Sequence, residues 1–556
     1  MTPIIDSAKR YGQHYTPTEL ARFLASRALS HVNFGVSNIV IVDPACGDGE
    51  LLLAVAHYLA IQNFQGNVSL RGYDIDKSAL NIARERLNKH GLDVELIHGN
   101  FLEHQRKIEA GSIDLIITNP PYVRTQQLGS EFSRILSEEF NLSGRVDLTH
   151  PFVSVAPRLL SDNGTFALLC SNRFLTTLAG ANVRQVLTGS SLSIRELYDL
   201  GDTKLFKAAV LPAIIVATKA PVSDTPVHYS SAYQIPQTTL ATTPLFEALT
   251  GPVTTLANHD DKTFEVRVGT FTAPADTKTP WRLSEPDSDI WLEEIEQKKW
   301  KSFGDIAKVR VGIKTTADKV FLHNDWQSHA PEVEHEVLLP LITQANITPW
   351  AISDDLKMRV LYPYDLEKRK RTLLDMDSLP GTMSYLRSHE AQLSGRTYVI
   401  KGGREWFEIW VPQKPSLWSI PKIVFPDISE FPRFALDTTG AVVNGNCYWI
   451  SLEDIGNLDL AYLMIAVANS ALGTRFYDET CGNKLYSGKR RWMSQYVNRI
   501  PVPNPNTVKA QELVAFAKSI GTSGIDSNDQ IMQLNSLVTE AFAASTPENT
   551  PPDHLF

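Results

Sequence analysis

Asn119-Pro120-Pro121-Tyr122 is the stretch of this chain whose residue types most narrowly define a reaction. Ile113 to Thr118 (IDLIIT) reads as a buried strand running straight into it. Two consecutive prolines fix the backbone and cannot donate hydrogen bonds, which leaves a rigid turn with carbonyls able to accept. Asn119 offers a side-chain oxygen and Pro120 a main-chain carbonyl, so the pair can accept both hydrogens of a planar exocyclic amine. That draws the nitrogen lone pair out of conjugation with its ring, and a poor nucleophile becomes able to attack a methylsulfonium. Tyr122 is placed to stack on the flat heterocycle, a contact of about 1–3 kcal/mol per base. The plain alternative is a proline-rich turn capped by Asn.

Three other strand ends carry residues of matching chemistry. Ile39 to Val42 is an apolar strand followed by Asp43-Pro44-Ala45-Cys46-Gly47-Asp48-Gly49 and a helix from about Leu51. Gly47 and Gly49 let the backbone approach a ligand where a side chain would collide. By itself a GxG is as well explained by a tight turn, and the full G-x-G-x-x-G spacing of a dinucleotide fold is absent. Cys46 reads as a small packing residue. Arg71-Gly72-Tyr73-Asp74-Ile75-Asp76 ends a second strand, placing Asp74 to grip ribose hydroxyls. Glu95 to Phe101 (ELIHGNF) ends a third, with Asn100 for an adenine edge and Phe101 for its face. A carboxylate after one strand and an amide after the next is the layout of an S-adenosylmethionine (SAM) site, and ligands of open α/β sheets sit at these carboxyl ends.

The elements that must position these residues follow from composition. At 556 residues the chain has room for three to four units of about 150 residues. With 43% hydrophobic and 21% charged residues it has the make-up of a soluble globular protein, not of a disordered, collagen-like or disulfide-stapled one. Its longest apolar run, Leu460 to Ala468, falls far short of the roughly 20 residues of a membrane span. The amino terminus, MTPIIDSAKRYG, lacks the apolar core of a signal peptide. Four scattered cysteines without a CxxC pair argue against a zinc ribbon or disulfide framework and for a reducing compartment, the cytoplasm. No HExxH or clustered His/Cys set is present, so no metal is expected.

Up to about Lys219 apolar strands alternate with helical patterns, the rhythm of a mostly parallel sheet covered on both faces. Ala220 to about Lys262 is rich in Thr, Pro, Ser and Ala and reads as a last strand near VHYSS and then a connection. Nine of ten tryptophans fall between Trp281 and Trp449 and the tenth is Trp492, marking a second domain of different construction. Ala510 to Ala544 carries two helical patterns. The expected boundaries are 1–255 for the catalytic domain, 256–284 for a linker, 285–545 for the second domain and 546–556 for a disordered tail. A net charge of −9, from 53 cations and 62 anions, argues mildly against nucleic acid unless cations are clustered. Cys481 to Ile500 holds five cations and no acid, and Lys368 to Arg371 (KRKR) is a second cluster. Either run is also what a solvated face looks like.

Taken together the motifs resemble the gamma-order N6-adenine DNA methyltransferases, the TaqI-like modification enzymes of type II restriction–modification systems. In that order a Thr-Pro segment precedes the SAM motif, as Tyr11 to Pro17 (YGQHYTP) precedes DPACGDG here, with GYDID, GNF and NPPY following. Val146-Asp147-Leu148, GTFALLCSNRFL and LYDLGDTKLFKAAVLPAIIV look like the family's later segments. VRVGIKTTADKVFL (309–322), LLPLITQANI, YPYD, PKIVFPDIS, a single LAYLMIAVANSALGTRFY helix and YVNRIPVP look like its DNA-recognition domain. The likeness covers nearly the whole chain. One departure is Asn100, where most members carry an acid; an amide still accepts from the adenine amino group, so SAM binding is expected to be weakened, not lost.

The resemblance implies an α/β fold: a SAM-dependent methyltransferase domain with a Rossmann-like, mostly parallel sheet, then a mixed α+β target-recognition domain. It implies methyl transfer from SAM to the N6 amine of an adenine flipped out of duplex DNA, with Asn119, Pro120, Tyr122 and Phe206 at the base. Thr16, Pro17, Asp43, Ala45, Gly47, Gly49, Asp74, Ile75, Asn100, Phe101 and Asn119 line the cofactor. Lys314, Thr315, Lys489, Arg490, Arg491 and Trp492 are the candidates for DNA contacts, as a cluster. Methylation of cytosine N4 is the nearest rival, although that class typically has Ser before the two prolines. RNA and protein-glutamine methyltransferases share NPPY but not the long second domain, and a DNA-binding module with a decayed catalytic domain would show a broken motif. A fused nuclease would need extra length, so any endonuclease is a separate protein. A monomer, nucleoid-associated in a bacterial or archaeal cytoplasm, is expected.

Overall fold

The computed structural model describes residues 15–121, 140, 149–189, 192–206, 211–220, 227–235, 241–282, 285–329, 332–481, 489–521, 524–525 and 527–545. They fall into two compact units, one ending at Pro286 and the other beginning at Asp287.

In the first unit helices and strands alternate: α1 (Thr18–Leu29), β1 (Asn38–Asp43), α2 (Glu50–Ile61), β2 (Asn67–Asp74), α3 (Lys77–Lys89), β3 (Glu95–His98), α4 (Phe101–His104) and β4 (Ile113–Thr118). α5 (Thr149–Leu159), β5 (Leu160–Ser171), α6 (Ala181–Gly189), β6 (Leu192–Asp199), β7 (Pro212–Lys219) and β8 (Val227–Gln234) follow. With β9 (Thr243–Pro244), β10 (Thr255–His259) and β11 (Lys262–Phe271), the strands form an eleven-stranded sheet in the order β3-β2-β1-β4-β5-β7-β6-β8-β11-β10-β9. β3, β2, β1, β4 and β5 pair in parallel, and β7 lies antiparallel between β5 and β6. Successive side chains on a strand face opposite sides. Thus Ile41, Leu115, Ile117, Ala167 and Leu169 join the core under α1 and α2, while Val42, Ile116, Phe166 and Leu168 join the core under α5. Burial on both faces is why these strands read as continuous apolar runs.

The linker expected over 256–284 is not there. β10 and β11 pair with each other and β11 pairs along β8 from Phe264↔Gln234 to Phe271↔Val227. The residues after β11 are pinned to the same unit. Arg184, fully buried, donates to the carbonyls of Thr277 (2.7 Å) and Lys278 (3.3 Å), and the Trp281 amide donates to Leu175 (2.7 Å). The expected tail, 546–556, lies outside the described residues.

The second unit mixes short strands and helices. One four-stranded sheet is built from Arg310–Val311, Lys422–Pro426, Ala435–Asp437 and Cys447–Ser451, another from Leu322–His323, Leu338–Ile342, Arg359–Leu361 and Val442–Val443. An apolar helix, Leu458–Ala468, packs with Val508–Ile520 and Asn528–Ala543 in one core. The single helix expected over 460–477 is two, Leu458–Ala468 and Ala471–Cys481. At the break the Asn469 side chain exchanges hydrogen bonds with the Phe434 backbone (3.0 and 2.9 Å), and the Ser470 hydroxyl accepts from the Gly473 amide (3.1 Å). Short polar side chains compete with the helix for backbone partners in this way. Trp418, Trp449 and Trp492 are core residues, at most 1% exposed. Among the described residues no helix is long and apolar enough to cross a membrane.

Candidate functional site

β1 and β4 are neighbours in the sheet with Val42 beside Ile116, and chain order reverses there. Such a switch point opens a crevice at the carboxyl ends of its strands. The turn after β1 is shaped by hydrogen bonds back to the strand ends. The Ala45 amide donates to Asp43 Oδ1 (3.1 Å), Cys46 to the Tyr73 carbonyl (2.8 Å) and Gly49 to the Cys46 carbonyl (2.8 Å). Gly47 and Gly49 both have positive φ, +51° and +81°, and a Cβ on Gly49 would sit 3.1 Å from Ala83 Cβ. Neither position tolerates a side chain without strain.

Asp74, the last residue of β2, accepts the Gly47 amide on one oxygen and the Asp76 amide on the other, each at 2.8 Å. It therefore holds the glycine turn as well as ending its own strand, and burial raises its pKa. Arg86 of α3 braces the turn from the other side, pairing with Asp48 (2.9 Å) and Glu50 (2.7 Å). Neither the Arg86 brace nor Tyr15, whose ring lies 3.5 Å from where a Gly47 Cβ would be, is legible in the sequence as a site residue. An aromatic just before Thr16-Pro17 is the available signal for Tyr15; Arg86 lies 38 residues from Asp48 in sequence and gives none.

Asn100 caps α4, its oxygen accepting from the Leu102 amide (3.1 Å) and its Nδ2 donating to Glu103 (3.2 Å). Phe101 departs from expectation. It is 2% exposed, edge-on to Tyr73 (5.2 Å) and stacked with Phe152 (6.1 Å), so it is a core residue beneath the site and not a lid over an adenine. The exposed apolar side chain nearby is Ile75, at the end of the neighbouring β2, 51% exposed directly after Asp74. A cradle with two positive-φ glycines, a carboxylate at the next strand end and an exposed Ile75 suits a nucleoside with a charged tail, and SAM fits that description.

At the end of β4, Asn119 Nδ2 donates to Thr16 Oγ1 (3.0 Å), which ties the residue after the strand to the segment before α1. Pro120 is buried and Tyr122 lies outside the described residues, as does Val146–Leu148. Phe206 is 5% exposed and packs in the core that includes Leu200 and Ile214, so it is not the open stacking wall its position suggested. The turn leading to it hangs on Asp199, which receives Asn172 Nδ2 (2.9 Å), the Tyr233 hydroxyl (2.6 Å) and the Gly201 amide (3.1 Å).

Burial pushes the Asp43 carboxyl up to about 7, opposed by the Ala45 amide and the Thr118 hydroxyl. Its unfolded value is about 3.9. A carboxyl raised on folding stabilises the folded state fully only below the unfolded value, and that contribution is lost as pH rises through about 7. Asp43→Asn keeps the shape without the charge, so its urea midpoint should fall less than the parent's as pH rises from about 5 to about 8. Superimposable midpoint–pH curves for the two proteins would refute the assignment.

In the second unit Lys314 and Lys489 are exposed, as expected. The other four DNA candidates are occupied within the protein. Thr315 is 2% exposed, its hydroxyl held by Asp318 and by the Ala317 amide (3.1 Å). Arg490 grips both oxygens of Asp478 at 2.7 Å, and Arg491 pairs with Asp427 at 3.2 Å. Trp492 is fully buried, with its indole N–H on the Ser429 hydroxyl (2.7 Å). The basic run reads as a free cluster only because its partners lie elsewhere in the chain.

Residues 5–232 match the family described as N-6 DNA Methylase, and residues 281–534 match the C-terminal domain of the Type II methyltransferase M.Eco57I. Type II methyltransferase M.BanIII of Aneurinibacillus aneurinilyticus is 36% identical over 542 residues, covering 92% of this chain and 93% of the relative. M.BstVI of Geobacillus stearothermophilus is 25% identical, covering 90% and 91%. The solved structure of the Type IIL restriction-modification enzyme MmeI in complex with DNA aligns with 96% of this chain and 73% of that one, at a TM-score of 0.61 and 13% identity, a likeness of fold.

Proposed function

The chain belongs to the type II N6-adenine DNA methyltransferases of restriction–modification systems, and from that premise we propose how its own residues carry the reaction. The first unit is the catalytic one, and the second recognises DNA. SAM, when bound, supplies the electrophilic methyl group. Gly47, Gly49 and Ala45 leave room for it, Asp74 holds its ribose, Ile75 covers its adenine and Asn100 meets the adenine edge. Tyr15, Thr16 and Pro17 flank the same turn.

An adenine inside a duplex must leave the stack to be reached, at a cost of a few kcal/mol. Asn119 Oδ1 and the Pro120 carbonyl then accept the two N6 hydrogens and Tyr122 stacks on the ring, while Phe206, 5% exposed, contributes little surface to it. Held so, N6 is aligned with the methyl group, and most of the rate comes from position and from polar groups already in place. Neither amide oxygen is basic enough to retain a proton, so the proton lost from N6 passes to water. The observation that supports this reading is the Asn119–Thr16 hydrogen bond, which ties the residue after β4 to the segment whose Tyr15 lies against the glycine turn after β1.

The acting form is proposed to be a cytoplasmic monomer working on double-stranded DNA, with any cognate endonuclease a separate protein. The test is transfer of a radiolabelled methyl group from SAM to duplex DNA, followed by nucleoside analysis. Labelled N6-methyladenine at one recurring sequence is the expected product. Labelled N4-methylcytosine would move the target base while keeping the chemistry, and no incorporation into DNA by a SAM-binding protein would overturn the proposal.

A further inference from the structure

A protein of net charge −9 that holds DNA must gather cations on one face, because phosphate binding scales with the number of phosphates neutralised. Several arginines of the second unit are not available for this: Arg310, Arg490 and Arg491 are neutralised by Asp454, Asp478 and Asp427. Another set is. Lys314, Lys368, Lys370, Lys401 and Lys414 are all exposed, and none makes an ion pair among the described residues.

These five lysines come from three stretches of chain that hydrogen bonds hold together. Lys314 exchanges main-chain hydrogen bonds with Val411 (2.9 and 3.0 Å), three residues before Lys414. The Ser416 amide donates to the Lys368 carbonyl (3.3 Å), and the Arg371 guanidinium donates to the Gly403 carbonyl (3.4 Å) beside Lys401. Arg396, 6% exposed, locks the arrangement from beneath by donating to the carbonyls of Thr315 (2.8 Å), Trp406 (2.8 Å) and Glu408 (3.1 Å). Two nearby carboxylates are already partnered, Glu408 by Arg371 (3.4 Å) and Glu453 by Arg369 (3.0 Å), while Glu367 and Glu405 stay exposed. Tyr398 and Ile400, 44% and 48% exposed, stand on the same segment, with Tyr398 edge-on to Trp410 (5.2 Å) and Arg404 over that indole (4.9 Å).

We propose that this surface, residues 401–414 flanked by Lys314 and the Lys368–Arg371 run, docks the sugar–phosphate backbone of double-stranded DNA. The inference rests on the DNA-methyltransferase reading above and names where the second unit takes hold. Lysines act there as point charges on flexible stems, suited to phosphates without base discrimination. Exposed apolar and aromatic carbon between them suits the sugars. The surface therefore positions the duplex and does not read it.

The test is equilibrium binding of the full chain to duplex DNA between about 50 and 200 mM salt, the range over which phosphate contacts declare themselves. The variant is K368Q/K370Q/K414Q, and a charge-matched control, K89Q/K107Q/K262Q, alters the first unit. The log–log salt slope of the variant should be shallower than the parent's by about 2–3, roughly 0.9 for each phosphate no longer neutralised. Affinity should fall alike for duplexes of unrelated sequence, with the control keeping the parent's slope. An unchanged slope in the variant, or an equal drop in variant and control, would mean a solvated face and overturn the proposal. A parent that binds no duplex at any salt would instead sink the methyltransferase reading, and this surface with it.

Discussion

Asn119→Ala is expected to lower methyl transfer by about a hundred- to a thousandfold, the scale on which removing one preorganised polar group costs an enzyme. The loss should fall on the chemical step. Alanine deletes the acceptor oxygen that Thr16 holds in place and leaves the glycine turn and Asp74 untouched. SAM affinity by calorimetry should therefore stay near the parent's while the single-turnover rate collapses, the pattern of an interaction made in the transition state. A variant transferring methyl groups at the parent rate would refute the catalytic assignment. Phe206→Ala provides the internal contrast. With its ring 5% exposed, Phe206 contributes little surface to a base, so its removal should slow transfer less than that of Asn119. Equal slowing would mean that Phe206 does more than stack.

Trp492→Ala is the change expected to cost most stability, about 3–5 kcal/mol, the range for truncating a large buried aromatic. Its indole packs against Tyr477 (4.4 Å) and Phe434 (5.7 Å) in the core around Leu458–Ala468. Truncation also strips the Ser429 hydroxyl of its donor in a buried setting. Urea unfolding of the full chain followed by tryptophan fluorescence, which comes almost wholly from the second unit, measures the shift. A midpoint within error of the parent's, combined with weakened DNA binding, would restore Trp492 to the DNA-contacting role that its basic neighbourhood suggested.

Both predictions turn on how far along the chain a residue's partners lie. Asp43, Gly47, Asp74 and Asn119 are legible because an apolar strand that stops at a glycine, an acid or an Asn-Pro-Pro turn is a local signal. Phe101 misleads because the residue that buries it, Phe152, sits on α5, far outside any sequence window around GNF. Arg490 and Arg491 read as free because Asp478 lies one helix away and Asp427 sixty-four residues upstream. The run from Cys481 to Ile500 itself contains no acid to warn of pairing. The Thr- and Pro-rich stretch after Lys219 reads as a connection because it lacks the βα rhythm. Thr is nevertheless a good strand former, and β10 and β11 complete the sheet edge by antiparallel pairing instead. The two halves of 460–477 cannot be separated without Phe434, whose backbone claims Asn469.

Tyr15 and Thr16 are consecutive residues with different loyalties: the first leans on the glycine turn and the second holds Asn119. Whatever steadies one steadies the other, because a single peptide unit joins them. Free energy released by a ligand in ordering that step is then shared with the neighbouring site, and such sharing is reciprocal by thermodynamic necessity. In the proposed mechanism, the factor by which the methyl donor changes the hold on the target base must equal the factor by which that base changes the hold on the donor.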